Sequence, residues 1–366
     1  MKIKRLDLKK QWRNEEKELL PIINKVLSSG IYVGGKHVDS LEKKLAKYCG
    51  TKYSVCTNSG TDALTLALHV LGVQRGDEVI TQSNSFVASA SCISHLGATP
   101  IFADVDVSRR LDPIDVEKKI TKKTKVILPV HLSGDISNMD SILNIAKKYK
   151  LYVVEDAAQS IGSKLNHKRS GSIGDIGCFS AHPLKNLNAA GDAGFVVTNK
   201  KSYYDKIKLL INHGIKSRGN SKIYGYVSRM DNLQAAILEY RLKALNKKIL
   251  LRRKIASLYF SELKLSPVVL PFEEANRINS YHLFVIQVDK RDKLKKFLQA
   301  NGIETAIHYP IPIHKQEIYS STKNSFFLKN TELQSKRILS LPIHEYLKRN
   351  EILYICNKIK EFFNLN

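Results

Sequence analysis

Two side chains near the middle of the chain have the types and the surroundings that amine chemistry requires. Asp156 ends an apolar run, and Lys185 lies in an apolar segment further along, beside Phe179, Pro183 and Leu187. An apolar environment disfavours the ammonium form of a lysine, so its amine becomes a better nucleophile. The sequence therefore predicts that Lys185 forms a Schiff base with a carbonyl compound.

Pyridoxal 5'-phosphate (PLP) is a cofactor whose chemistry uses this pair of groups. Its aldehyde combines with a lysine amine, and an acid beside its pyridine nitrogen keeps the ring protonated, so that the ring can withdraw electrons. Lys185 and Asp156 fit these two roles. Taken alone the pair is weak evidence, because roughly nine in ten such residues in an α/β protein are ordinary surface residues. The weight of the interpretation comes from the motifs around the pair.

Further motifs occur in order along nearly the whole chain. They occupy residues 30–35, 58–64, 76–80, 85–88, 155–159, 174–177, 229–236 and 308–310, and Ser180 precedes Lys185 by five positions. In these motifs the chain resembles the DegT/DnrJ/EryC1/StrS family, the PLP-dependent aminotransferases that act on keto-sugar nucleotides. The resemblance implies a transaminase that serves surface-glycan or amino-sugar biosynthesis.

The resemblance implies an aspartate-aminotransferase-like fold, which is fold type I of the PLP enzymes. We expect a large α/β domain over residues 1–245, with a mostly parallel central sheet between helices, and a smaller α/β C-terminal domain over residues 246–366. The residues themselves support this class, since strand and helix signals alternate for about 200 residues. A chain of 366 residues is also long for a single core.

Apolar periodicity places the main elements. A helix is predicted over residues 59–70, and strands near residues 78–81, 99–103, 125–130, 151–155, 176–180 and 194–198. One long helix over residues 231–263 is expected to bridge the two domains. A strand over residues 281–289 and a helix over residues 291–300 follow in the C-terminal part.

The resemblance also implies which residues bind the cofactor. Lys185 would carry PLP and move a proton as the catalytic acid and base, while Asp156 would face the pyridine nitrogen. Residues 58–61 lie at the start of the helix predicted over residues 59–70, and the amino end of a helix attracts phosphate. Without the resemblance, a simple helix cap formed by Ser59 or Thr61 is the favoured interpretation. The other implied contacts are Ser59, Gly60, Thr61 and Ser180 at the phosphate, Phe86 against the ring face and Gln159 at the phenolic oxygen.

Five residues are candidates for binding the substrate. Residues 308–310 fall where the resembled family lines its sugar pocket, and Arg229 is placed to reach a neighbouring active site across a homodimer interface. A lone histidine on a loop is structural more often than it is a ligand, by roughly three to one. The candidates are His182, Arg229, His308, Tyr309 and His314.

The segment after the lysine bears on which ketone is aminated. Residues 185–187 and the following Gly191-Asp192-x-Gly194 pattern look more like family members that act on 3-keto sugars. We therefore expect a dTDP-linked 3-keto-6-deoxyhexose as substrate and glutamate as the amino donor. Two alternatives within PLP chemistry stay open. One is amination at C4 of a UDP- or GDP-4-keto sugar, and the other is a sugar dehydratase, a branch in which histidine commonly replaces the lysine.

The cysteines and the amino terminus bear on the compartment. Cys49, Cys56, Cys92, Cys178 and Cys356 are odd in number and lack the spacing of a disulfide framework or a zinc site, so no metal is expected. No apolar run is long enough to span a membrane, and the first residues lack the apolar core of a signal peptide. A cytoplasmic protein without membrane attachment is expected.

The net charge suggests one function from a different class. Lys and Arg total 59 against 34 Asp and Glu, which gives a formal charge of +25, and such a chain could bind DNA. The basic residues, however, are spread along predicted helices and are not interleaved with aromatic residues in one groove. A DNA-binding regulator is therefore disfavoured and no nucleic-acid partner is expected.

Overall fold

A computed structural model describes residues 2–320 and 327–364, and its main element is a seven-stranded sheet. In chain order the first nine strands are β1 (Tyr53–Thr57), β2 (Glu78–Gln82), β3 (Thr99–Ala103), β4 (Thr124–Leu128), β5 (Tyr152–Asp156), β6 (Lys164–Leu165), β7 (Lys168–Arg169), β8 (Ile176–Ser180) and β9 (Gly194–Thr198). The short β6 and β7 lie outside the central sheet. The order across this sheet is β1, β9, β8, β5, β4, β2, β3.

The central sheet is mostly parallel. β8, β5, β4, β2 and β3 pair in parallel, and β9 runs antiparallel to both β8 and β1. The six predicted strands of this region are confirmed, with ends that differ from the prediction by at most two residues, whereas β1 was not predicted. Their nearly continuous apolar runs reflect burial on both faces of the sheet.

Helices cover the two faces of the sheet. In chain order, the α-helices of the described residues are α1 (Leu8–Ser28), α2 (Lys36–Cys49), α3 (Gly60–Val70), α4 (Ala88–Ser94), α5 (Pro113–Lys118), α6 (Met139–Tyr149), α7 (Lys201–Leu210), α8 (Asn232–Leu263), α9 (Arg291–Ala300), α10 (Glu317–Ser320), α11 (Lys329–Arg337) and α12 (Arg349–Phe362), of which those before α9 include the ones on the sheet. Successive side chains of a strand point to opposite faces. Accordingly, Val154 and Val196 pack with apolar residues of α3 and α7, whereas Phe195 and Val197 pack with residues of α2 and α8.

The long helix α8 connects two apolar cores. Leu245 and Ile249 belong to the core that contains α2 and β9, whereas Ile255 and Tyr259 belong to a separate core in the C-terminal part. The domain boundary expected after residue 245 therefore falls inside a continuous helix, and the apolar face of the helix changes core between Ile249 and Ile255. The predicted helix over residues 231–263 is confirmed apart from its first residue, Asp231, which is the N-cap.

The C-terminal part is built around a strand pair and two helices. The remaining strands are β10 (Ile215–Ser217), β11 (Asn220–Ser221), β12 (Arg277–Ile278), β13 (Phe284–Gln287) and β14 (Ile338–Leu341). β13 and β14 pair antiparallel, and α9 and α12 pack together beside α8. Ile3 also joins this core and pairs with Ile303, so the amino terminus packs with the C-terminal part. The predicted helix over residues 291–300 is confirmed, and the strand predicted over residues 281–289 is shorter, since only Phe284–Gln287 is a strand.

The carboxyl ends of neighbouring sheet strands meet at one edge of the sheet. β1 leads into the amino end of α3, β5 ends at Asp156, and β8 leads into the segment that carries Lys185. In open α/β sheets the binding crevice lies at this edge. No helix within residues 2–320 or 327–364 is both long enough and apolar enough to span a membrane.

Candidate active site

A cavity of about 320 Å³ lies at this edge of the sheet, between it and the C-terminal part. All eight residues predicted to bind the cofactor line this cavity. They are Ser59, Gly60, Thr61, Phe86, Asp156, Gln159, Ser180 and Lys185. Residues separated by more than a hundred positions in the sequence therefore meet in one place.

Lys185 projects into the cavity from the segment that follows β8. Its backbone N–H donates to the carbonyl of His182 at 2.8 Å, which closes a tight turn. Burial lowers the pKa of the Lys185 amine to about 8, even though the charge of Asp156 opposes the shift. At neutral pH a much larger share of this amine is unprotonated than of an ordinary lysine, as a nucleophilic amine requires.

Asp156 lies at the end of β5, in the centre of the sheet. Ser89 Oγ donates to its Oδ2 at 2.7 Å, and the Ala158 N–H donates to its Oδ1 at 3.2 Å. Burial nevertheless raises the pKa of this carboxyl. A buried carboxylate with two donors can accept further hydrogen bonds, and a cationic donor in the cavity would favour its charged form.

Glu155 anchors the strand end that carries Asp156. Its carboxylate is fully buried and accepts hydrogen bonds from the backbone of Gly171, Ile173 and Gly174 at 2.6 to 2.7 Å. His131 Nε2 lies 2.8 Å from the same carboxylate, while its Nδ1 accepts from the Ser137 N–H at 3.2 Å. These contacts satisfy a buried charge from several directions and hold the end of β5 in place.

The amino end of α3 opens into the cavity. Ser59 is its N-cap, and the Ser59 hydroxyl accepts from the Asp62 N–H at 3.1 Å. The cap uses an acceptor lone pair and leaves the hydroxyl proton free to be donated. The first backbone N–H groups of the helix, on Gly60 and Thr61, have no acceptor among the residues described. Free N–H groups at the positive end of an 11-residue helix suit a phosphate dianion.

Two glycines allow this helix end to approach the sheet. A Cβ on Gly60 would lie 2.6 Å from Ser180 Cβ, and a Cβ on Gly194 would lie 2.3 Å from the Ser59 carbonyl oxygen. Neither approach is possible for a residue with a side chain, because real Cβ atoms do not come so close. The glycines thereby bring the Ser180 hydroxyl beside the helix terminus.

Aromatic side chains line the other wall of the cavity. Phe86 is 55% exposed, which is unusual for a phenylalanine, and its ring lies 5.7 Å from the Tyr309 ring. Gln159 is fixed on both sides, since its Oε1 accepts from the Ser133 N–H at 2.8 Å and its Nε2 donates to the Tyr309 hydroxyl at 3.1 Å. An exposed ring in a cavity provides a surface on which a flat ligand can stack.

The five candidate substrate residues do not all lie in this cavity. His182, His308 and Tyr309 line it. Arg229 lines a different cavity of about 300 Å³, near Val33 and Asn212, and donates to Asn212 Oδ1 at 2.9 Å.

His314 also lies outside the active-site cavity. It is buried, with Nδ1 2.7 Å from Ser83 Oγ and Nε2 3.2 Å from the Glu332 carboxylate. Both of its ring nitrogens are thus occupied within the chain. Its predicted contact with the sugar has no support from this position.

The cavity also contains residues that the sequence did not single out. Ser89 contacts Asp156, and Arg5 and His282 line the wall on the side of the C-terminal part. Ser89 directly follows the motif over residues 85–88. A polar residue at that position could therefore have been predicted from the sequence to lie in the site. Arg5 is separated from the nearest motif by more than twenty residues, and only the packing of the amino terminus brings it here.

The comparisons with known proteins decide the family. A model of the DegT/DnrJ/EryC1/StrS aminotransferase family matches residues 13–360. The chain belongs to this family.

Curated relatives match over nearly their whole length. A "Pleiotropic regulatory protein" from Geobacillus stearothermophilus is 38% identical, with 99% of each chain covered. The dTDP-3-amino-3,6-dideoxy-alpha-D-galactopyranose transaminase of Aneurinibacillus thermoaerophilus is 40% identical, with 98% of each chain covered. The UDP-2-acetamido-2-deoxy-3-oxo-D-glucuronate aminotransferase of Pseudomonas aeruginosa is 38% identical, covering 96% of this chain and 98% of the relative.

Two solved structures superpose closely on this chain. DesV of S. venezuelae, solved in complex with a ketimine intermediate, is 36% identical and has a TM-score of 0.96, covering 99% of this chain and 98% of that one. The ntda protein of Bacillus subtilis, solved with bound cofactor PMP, is 32% identical and has a TM-score of 0.90. The match covers 96% of this chain and 82% of that one.

Membership of the DegT/DnrJ/EryC1/StrS aminotransferase family confirms the expected fold type I, the transaminase activity and PLP as cofactor. The cavity suits this cofactor. Free N–H groups at the amino end of α3 suit its phosphate, the exposed Phe86 ring suits its flat ring, and the buried Asp156 carboxylate suits a protonated pyridine nitrogen.

Proposed function

We propose that this enzyme transfers an amino group from glutamate to the ketone of a dTDP-linked 3-keto-6-deoxyhexose, for the biosynthesis of an amino sugar. The observation that carries the proposal is the meeting of Lys185 and Asp156 in a cavity of a chain whose relatives include sugar-nucleotide transaminases. The lysine also argues against a sugar dehydratase, in which histidine commonly takes its place.

The position of the ketone is supported by two independent features. Two of the relatives are named for sugars that carry the amino or the oxo group at carbon 3. The Gly191-Asp192-x-Gly194 pattern after Lys185 points to the same carbon, and Asp192 lines the cavity. The nucleotide differs between these relatives, and the relative with the higher identity is named for a dTDP sugar, which favours dTDP over UDP.

Lys185 performs the proton transfers in this proposal. PLP, when bound, withdraws electrons from the carbon that carries the amino group and so makes its proton acidic. The Lys185 amine would take that proton from the donor carbon as a base and then, as an acid, give it to the C4' carbon of the cofactor. Its pKa of about 8 suits both roles near neutral pH.

The other cavity residues hold and orient the reactants. Ser59, Gly60, Thr61 and Ser180 would bind the phosphate, and Phe86 would lie against the ring and exclude water. Gln159 Nε2 has two N–H groups and donates one to the Tyr309 hydroxyl. The other would donate to the phenolic oxygen of PLP. Burial raises the pKa of Tyr309 to about 12, so its hydroxyl stays protonated and available as a donor.

We also propose that the enzyme is a homodimer with shared active sites. An apolar patch consists of the consecutive residues Ile31, Tyr32 and Val33, all about half exposed. Asn232 holds this patch rigid, since it bonds the carbonyls of Tyr32 and Ile31 at 2.8 and 2.9 Å. A rigid exposed apolar patch next to Arg229 fits a surface that a second copy covers. Arg229 would then reach the active site of the partner.

We propose a cytoplasmic location because the cysteines form no disulfide. Cys49, Cys56, Cys92, Cys178 and Cys356 are all buried and unpaired. Free thiols persist in reducing compartments.

Assays with purified enzyme test the proposed reaction. Glutamate would be combined in turn with dTDP-3-keto-6-deoxyhexose, a UDP-3-keto sugar, and UDP- and GDP-4-keto sugars, and the products identified by mass spectrometry. We expect the dTDP-3-keto sugar to give the highest kcat/KM. Lys185→Ala should lower the rate by about 10²-fold or more, while Lys201→Ala, a change at an exposed lysine, should leave it unaltered. A preference for a 4-keto sugar would refute the C3 assignment.

A further inference from the structure

The amino-terminal segment places Arg5 in the wall of the active-site cavity. Ile3 pairs with Ile303, and the Arg5 backbone N–H donates to the Glu304 carboxylate at 3.3 Å, so the segment is tied to the C-terminal part. The Arg5 side chain is half-buried and lines the cavity that also contains Lys185. The backbone that carries this cation is therefore held by contacts at Ile3 and at Arg5 itself.

The Arg5 guanidinium has no carboxylate within 4.0 Å in the described part of the chain. Burial lowers its pKa, and the charge of Glu304, which lies farther away, opposes the shift only in part. The nearby Arg252 differs, because it bonds the Glu345 carboxylate at 3.4 Å and the Ile343 carbonyl at 2.9 Å. A partly desolvated cation without a counter-ion gains stability from an anion that enters the cavity.

Two histidines beside Arg5 supply hydrogen-bonding groups without adding charge. Burial, together with the charges of Arg5 and Lys185, lowers the pKa of His308 to about 4, and the pKa of His282 is likewise lowered by burial. Both rings are therefore neutral at pH 7. His308 Nδ1 lies 2.9 Å from Ser340 Oγ, which leaves Nε2 for a ligand.

We propose that Arg5, with His282 and His308 beside it, binds the α-carboxylate of the amino donor. This inference rests on the transamination proposed above. Every α-amino acid carries this carboxylate on the carbon whose proton Lys185 removes, and Arg5 and Lys185 act electrostatically on the same two histidines. A guanidinium can bind a carboxylate through two parallel N–H donors, which fixes the orientation of the donor carbon.

A carboxylate could also enter on the sugar, because one relative is named for a glucuronate substrate. The donor and the sugar react in separate half-reactions, so the two sources can be measured apart. The test uses Arg5→Gln, which removes the charge, and Arg5→Lys, which keeps the charge but loses the paired donors. Lys4→Gln is the matched control, since Lys4 is the adjacent cation and pairs with Asp7 at 3.2 Å.

Three quantities would be measured on cofactor-loaded protein. They are the dissociation constant of 2-oxoglutarate from the pyridoxamine-phosphate form by calorimetry, the single-turnover rate with glutamate from cofactor absorbance, and the single-turnover rate with the keto-sugar nucleotide. We expect Arg5→Gln to weaken 2-oxoglutarate binding by about 10- to 100-fold and to raise the glutamate concentration for half-maximal rate similarly. Arg5→Lys should recover part of the loss, and Lys4→Gln should match the wild type.

The keto-sugar half-reaction should be unchanged in Arg5→Gln. A loss confined to that half-reaction would assign the anion to the sugar nucleotide and overturn the proposal, as would unaltered 2-oxoglutarate binding. Thermal unfolding of each variant reports whether the fold is intact, and Arg5→Lys serves as the test if Arg5→Gln is unstable. Failure of the wild type with every keto sugar would refute the proposed substrate, yet 2-oxoglutarate binding would still report on Arg5.

Discussion

At the scale of single residues, the charges of Lys185 and Asp156 act on each other across the cavity. Burial lowers the pKa of Lys185, and the Asp156 carboxylate restores part of the loss. Removing the carboxylate charge therefore makes the ammonium form less favourable still. The reactive form of the lysine is the free amine. The reactivity of Lys185 as a function of pH therefore reports its pKa, which burial lowers and the Asp156 charge raises.

Acylation of the cofactor-free protein tests the pKa of Lys185. Acetic anhydride would be applied briefly across pH 6 to 11, and the acetylated fraction of each peptide measured by mass spectrometry. We expect the labelling of Lys185 to rise with a midpoint near pH 8, because the protonated amine below that pH is unreactive. In Asp156→Asn the midpoint should move to lower pH.

Lys201 provides the internal control for this experiment. A hydrogen bond to Asp205 raises the pKa of this exposed lysine above its usual 10.5, so its labelling should rise only at the alkaline end of the range. Parallel titration of Lys185 and Lys201 would contradict the proposed desolvation of the active-site amine.

The sequence was a good guide to residues that lie next to a recognisable motif. Asp156 and Lys185 follow from chemistry and local pattern, and the structure brings them together. Arg5 and His282 belong to no motif, and they reach the cavity only because the amino terminus packs with the C-terminal part. His314 shows the opposite case, in which a polar residue near a motif bonds within the chain. Contacts that depend on tertiary packing leave no local signal.

At the scale of elements, the packing of α3 against the ends of β8 and β9 determines the phosphate site. Gly194→Ala would place a Cβ against the Ser59 carbonyl and push the helix terminus away from the sheet. We expect the free energy of unfolding to fall by about 1–3 kcal/mol and cofactor affinity to fall with it. Urea unfolding and a titration with PLP would measure the two effects.

Gly191→Ala is the matched control for this substitution. A Cβ on Gly191 would lie 3.1 Å from Nε2 of Gln234, the end of a flexible side chain that can move aside. Gly191→Ala should therefore change the free energy of unfolding and the affinity for PLP much less than Gly194→Ala does. Equal effects of the two substitutions would mean that close approach of α3 to the sheet does not control cofactor binding.

Element prediction from the sequence worked best where apolar periodicity was strong. The buried parallel strands and the helices α3, α8 and α9 all appear close to their predicted limits. β1 has no clear apolar pattern, because its run, Tyr53–Thr57, contains several small and polar residues. The strand expected over residues 281–289 begins only at Phe284, since Tyr281 adopts a positive φ of 46°, which an extended strand does not allow. Backbone turns of this kind override a favourable apolar pattern.

At the scale of the whole molecule, the apolar patch around Ile31 predicts self-association. Ile31→Glu would put a charge in this patch, so the wild type should sediment as a dimer at micromolar concentration and the variant as a monomer. Ile114→Glu makes the same change at another exposed isoleucine and should remain dimeric. Analytical ultracentrifugation distinguishes the outcomes.

Mixing two inactive variants tests whether the sites are shared. If Arg229 serves the partner's site, heterodimers of Lys185→Ala and Arg229→Ala contain one intact site, and mixing should restore part of the activity. Activity that stays absent after subunit exchange has been verified would argue that Arg229 acts within its own chain.

The continuity of α8 limits how this gene can be divided. The helix packs in one apolar core from Ala235 to Ile249 and in the other from Ile255 to Leu263, so a cut after residue 245 would sever it inside the first core. Each fragment would then expose half of an apolar helix face together with unpaired backbone groups. Split-protein reporters and separately expressed halves should therefore be designed with the whole of Asn232–Leu263 on one fragment.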